Sequence, residues 1–295
     1  MKYFIFVNLF LISSCFAQVA IPVPLQNSKM ISGTSAVFPN APEKAQKTEV
    51  LDEYKDLVWN KLDTENFIIL SIDKKQGTYI KNNIENIKSW IVTRWGLSDF
   101  NFSSECKIIC VSNRELFSKL FKIDQIHYEI RKDNEDKIKL CAIWMCYDDL
   151  EKIPYCLSDI CFSEMEQNKN KKIPFHIKKG MCYLSKNLDT LKKEMVDLPK
   201  EKVSYENISS KKIEDIKDNA LGNYEKQCAI ACLLFRKEYG QINFVNYLSD
   251  NDLNKNFGIN NAKILDEILN RYYENLLSDL KEDKVPNDYL NIRRK

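Results

Sequence analysis

Two hydrophobic periods alternate along the first half of the chain. Phe67-Ile68-Ile69-Leu70-Ser71-Ile72 is a short apolar, β-branched run of the kind that forms a buried strand. From Gly77 to Trp95 the apolar residues Ile80, Ile84, Ile87, Ile91 and Trp95 step by 4, 3, 4 and 4, which places them on one helical stripe. Gly96 then stands where a helix-terminating glycine belongs. Cys106 to Val111 predicts a second strand, and Ser112 with Glu115 forms a capping-box pair opening a helix through Phe121. His127–Arg131 and Ile138–Cys146 predict two strands around an Asn-Glu-Asp turn. In the second half the helical period takes over. Helices are predicted over Ile153–Met165, Pro174–Leu184 with Pro174 at the first helical position, Asn223–Tyr239 stopping at Gly240, Ile242–Leu248 and Asn260–Leu280. No internal repeat is present. The expected class is α+β, a small mixed sheet followed by a helical C-terminal half.

The ends of the chain follow other rules. Tyr3 to Ile12 is an apolar run of ten residues behind a basic Met1-Lys2, broken only by Asn8; it is too short to span a bilayer and suits a signal-peptide core. Two processing sites fit residues 1–17. Leu11-Ile-Ser-Ser-Cys15 has the form of a bacterial lipobox, with Cys15 as the acylated residue; alternatively a general signal peptidase cuts after Ala17. Either reading makes the protein exported, as a membrane-anchored lipoprotein or a secreted, periplasmic form. The competing reading keeps these residues as an apolar strand of a cytosolic fold. Residues 18–49, with four prolines, read as a linker, 50–283 as the folded domain and 284–295 as a loose charged tail.

Composition removes several functions. A net charge of +2 gives no basis for nucleic acid as a partner, and none of the seven glycines builds a dinucleotide loop, a P-loop or a nucleophile elbow. Nine cysteines remain after Cys15, with no CxxC pair, and most lie in apolar stretches as small hydrophobes would. Only two histidines exist. Both His127 and His176 are expected to pack rather than catalyse.

Several phrases, in order, resemble the peptidase MA-like (gluzincin) family with its zincin fold. They are Asp63-Thr-Glu-Asn-Phe-Ile-Ile69, Val111-Ser-Asn-Arg-Glu-Leu-Phe117, Ile173-Pro-Phe-His-Ile-Lys-Lys-Gly-Met-Cys-Tyr183, the Tyr239-Gly240 break and Phe257-Gly-Ile259. The resemblance covers about residues 55–280. Catalysis in that family needs an HExxH helix and a glutamate about twenty residues later, which together hold zinc and activate water. Counted back from Gly180, the first window falls on Ser158-Asp159-Ile160-Cys161-Phe162 and the later ligand on Lys179. Phenylalanine offers no lone pair, and a charged lysine has no acceptor. The resemblance therefore implies vestigial metal-site positions at Ser158, Asp159, Phe162 and Lys179, with no metal, no cofactor and no catalytic residues. Lys179 is expected within about 6 Å of Asp159, filling the place of the missing cation.

This makes the chain a pseudo-peptidase of the cell envelope, a binding or structural module whose partner is an unidentified envelope protein. Its interaction surface is expected in a relict cleft between the sheet and the 153–184 helix pair. Three rival chemistries share the same residues: an active hydrolase with non-standard residues, a zinc site of Cys156, Cys161, His176 and Cys182, and a Cys161 or Cys182 nucleophile beside His176. The lysine-rich stretch 168–202 reads as a solvated face, with an anionic membrane surface as a second partner class. Asn101-Phe-Ser103 and Asn207-Ile-Ser209 fit the glycosylation sequon.

Overall fold

The computed structural model describes residues 57–282 apart from 98–99, 136, 170–171, 187, 197–203, 212–215 and 217. Cys15, the signal-like segment 1–17, the linker 18–49 and the tail 284–295 lie outside the described residues.

Five strands form one mixed sheet: β1 Asn60–Asp63, β2 Phe67–Ser71, β3 Glu105–Val111, β4 His127–Lys132 and β5 Ile138–Cys146. Their spatial order is β1-β2-β3-β5-β4. The β2, β3 and β5 strands are parallel, and an antiparallel strand closes each edge. Alternation along β2 buries Phe67, Ile69 and Ser71 and leaves Ile68 and Leu70 half-buried. Register then carries Cys106 beside Phe67 and Cys141 beside Cys106, so that face continues across the sheet.

Helix α1, Lys74–Arg94, covers that face. It begins three residues before the expected Gly77, because Asp73 caps it by accepting from the backbone N–H groups of Lys75 and Gln76. Gly77 lies inside the helix, where a Cβ would sit 2.9 Å from Ser71 Cβ. At the other end Gly96, with φ +70°, closes the helix as expected: its N–H reaches Thr93 O at 3.0 Å, and Leu97 N–H reaches Val92 O at 3.0 Å. Helix α2, Arg114–Phe121, is capped by Asn113 rather than Ser112; Asn113 accepts from Leu116 N–H at 2.9 Å.

A 3₁₀ turn, Tyr147–Lys152, leads into α3, Ile153–Lys169. After it come α4 Phe175–Tyr183, α5 Leu188–Val196, α6 Tyr205–Ser210, α7 Asp218–Glu238, α8 Gln241–Asp250, α9 Leu253–Phe257 and α10 Ala262–Lys281. Pro174 sits at the N-cap of α4, with ψ 131°, one position outside the helix it was expected to begin. In α7 every residue from Cys228 to Arg236 is buried, the signature of a helix wrapped by neighbours on all sides. It packs on α4 so closely that a Cβ at Gly180 would lie 2.4 Å from the Cys228 carbonyl oxygen. The expected α+β class, a small mixed sheet followed by a helical half, is the observed one. No helix of the described residues is long and apolar enough to cross a membrane.

Candidate functional site

Asp159 lies on α3, about two helical turns after the chain leaves the 3₁₀ segment, and it points toward α4 and β4. Lys179 on α4 donates to Asp159 Oδ2 at 3.1 Å, and Lys178 approaches Asp159 Oδ1 at 3.0 Å. Tyr128 on β4 adds an O–H bond to Oδ2 at 2.5 Å. Its inward position follows from the register that pairs it with Ile143, whose face is the covered one. The three charged side chains are 7–14 % exposed.

Burial alone would push the Asp159 carboxyl upward, but Lys179 and then Lys178 outweigh it, and the group is held well below the usual carboxylate range. The same balance works in reverse for both lysines. Desolvation lowers them, Asp159 raises them more, and each stays an ammonium ion. A second carboxylate acts on Lys179 through space. Glu225 of α7 is buried, accepts from Tyr155 O–H, and is pushed upward by burial against the field of Lys179.

Lys178 continues the network outward. Its ammonium donates to Ser163 Oγ at 2.6 Å and to Glu166 Oε2 at 3.1 Å. A serine this close to a lysine resembles a nucleophile with its base. Chemistry excludes that role here, because Lys178 is held protonated by two carboxylates and has no lone pair for the Ser163 proton. Cys182 is no better placed: it is fully buried, and desolvation followed by Asp159 drives its thiol upward, away from thiolate.

Of the four predicted positions, Asp159 and Lys179 meet, at half the separation the sequence argument required. Ser158 is fully buried, and its hydroxyl is turned back to Pro154 O at 2.7 Å. Phe162 is fully buried in the main core. Between β4 and the α3–α4 pair, the space is taken up by the contacts of Tyr128, Lys178 and Lys179 with Asp159. Lys178 and Lys179 are likewise buried ion-pair partners rather than members of a solvated face.

His176 does not approach a zinc geometry. Its Nε2 pairs with Tyr205 Oη at 2.9 Å, and Tyr205 pairs in turn with Tyr247 at 2.6 Å. Burial lowers its pKa to about 4. His127 packs at a tilt against Trp144, its cross-strand partner, at 5.6 Å between ring centroids. All nine described cysteines are buried free thiols, and among the described residues no three of His, Cys, Asp and Glu gather as a metal-binding group.

Sequence reasoning missed Tyr128, Lys178, Glu225 and Tyr155. The lysines' neighbours Asp159 and Gly180 were the available signal, since adjacent lysines on one helix can both reach a carboxylate lying over their turn. Comparison with protein-family models and with curated proteins finds no match for the chain.

Proposed function

We propose that this chain is a non-catalytic binding or structural module, a metallopeptidase-like domain whose metal site has been replaced by an internal ion pair. What supports the reading is the contact of Asp159 with Lys179 at 3.1 Å. These are the two positions at which the gluzincin-like phrases would put a water-activating carboxylate and a metal ligand. The Lys179 ammonium ion on Asp159 supplies the positive charge that a divalent ion would otherwise bring, and it leaves no acceptor free at that position to coordinate one. The N-terminal signal-like run and Cys15 extend the proposal to an exported, lipid-anchored protein; labelled palmitate incorporated by the wild type and lost in Cys15→Ala tests that part.

The site itself is tested by rebuilding it. Purified Ser158→His/Asp159→Glu/Phe162→His/Lys179→Glu protein is expected to bind one zinc per chain by metal analysis, with helix content unchanged, while the wild type binds none. Stoichiometric zinc in the wild type overturns the reading, and so does a folded rebuilt variant that takes up none.

A further inference from the structure

An open cleft of about 470 Å³ lies beside the ion network, lined by Glu166 of α3, residues 172–175, Lys178 of α4 and Asn251 at the end of α8. Its volume falls in the range of small-molecule sites. Two of its charged groups are already committed. Glu166 accepts the Ile173 N–H at 2.8 Å through Oε1 and Lys178 at 3.1 Å through Oε2. The Lys178 ammonium has three donors and three acceptors around it, on Asp159, Ser163 and Glu166. Neither offers a ligand anything without breaking an internal bond.

What remains is asymmetric. Lys172 is exposed, lines the cleft and has no ion-pair partner among the described residues. Asn251, whose side chain carries an amide donor, also lines the cleft. The wall between them is apolar: Ile173, Pro174 and Phe175, the last stacked on Tyr224 at 6.1 Å and so held in place. One uncommitted cation, one amide donor and a fixed apolar wall suit a single anionic head on an apolar body. We infer that this cleft binds a small organic carboxylate, its head on Lys172 and Asn251 and its body against Pro174 and Phe175. The inference rests on the binding-module reading and names the ligand class for it.

Titration of the ¹⁵N-labelled full chain with benzoate tests this, with benzyl alcohol, benzylamine and inorganic phosphate as controls. Benzoate is expected to give saturable shifts of the Asn251 side-chain amide and of the 173–178 backbone amides, with a Kd of about 1 mM for so small a ligand. Lys172→Glu is expected to weaken it about tenfold and Lys172→Arg to retain it. Asn251→Gly suits the left-handed backbone there, φ 56°, so it removes the amide with the fold kept and weakens binding severalfold. Benzoate shifts that never saturate overturn the inference, as does equal binding of benzylamine or phosphate, or Lys172→Glu binding like wild type. Those results leave the zinc-rebuilding experiment untouched, so failure of the ligand class and failure of the module reading are distinguishable.

Discussion

Among the described residues a buried aspartate sits between two cations at two places, Asp149 and Asp159, and the two sites differ in where the cations sit. At the carboxyl ends of the parallel strands, Asp149 is 1 % exposed and is gripped by Arg114 at 2.7 Å and Lys152 at 2.9 Å, with the Cys146 thiol at 3.3 Å. Both cations there stand in water, Arg114 at 36 % and Lys152 at 42 % exposure. At the α3–α4 site the partners are buried together. Burial raises both carboxyls and the cations lower both below their ordinary value. The same electrostatic outcome is therefore reached at different risk. Water can replace a half-exposed guanidinium, but nothing can replace Lys179 inside the helical half.

The comparison breaks most visibly at Lys179. Lys179→Met is expected to cost about 3 kcal/mol in urea denaturation, since buried Asp159 then keeps only Lys178 as a cation partner and Glu225 loses the field of Lys179. Adding Asp159→Asn should recover part of that loss, because the uncompensated charge is removed while Tyr128 keeps a partner. A double variant less stable than Lys179→Met alone would mean that the charge pair is not the reason for the cost.

His176 probes the same interior without touching the ion pair. Its folded pKa, about 4, lies below the ordinary value of 6.5, so the unfolded chain binds the proton more tightly. The contribution is full above about pH 6.5 and is lost as the pH falls toward 4, by up to about 3 kcal/mol. His176→Gln should flatten that part of the stability–pH curve relative to wild type, and a variant whose curve parallels the wild type refutes the assignment. The smallest effect belongs to the exposed side of the comparison. Arg114→Ala is expected to cost about 1 kcal/mol or less, and to lose even that in high salt. A loss as large as that of Lys179→Met would erase the distinction between the two sites.

Much of this architecture can be read from spacing alone. The β-branched runs of β2 and β3, the stripe of α1 with its closing glycine, and the length of α10 all carry their own local signal. The strand β1 does not. Asn60-Lys-Leu-Asp63 has a single apolar residue, Leu62, and it is held by the Asn60 side chain donating to the carbonyls of Ser71 and Ile72 at 3.0 and 3.1 Å, a tertiary contact no window of sequence contains. The cap of α2 moved by one residue because Ser112 and Asn113 are both good caps and only the backbone decides between them. In the site, one pairing could be counted along the chain, Asp159 with Lys179. Tyr128 needed the β4–β5 register, and Lys178 looked like one more lysine in a charged stretch until α3 was laid over it.

The missing side chain at position 180 has a mechanical consequence. With the backbone of α4 pressed directly on that of α7, there is no cushion of flexible atoms through which one helix can creep along the other. The two should open as a unit, their amides exchanging with solvent at a common rate. Whatever occupies the turn at 172–175 would then be sensed by a rigid block, and any response must come from the surrounding loops.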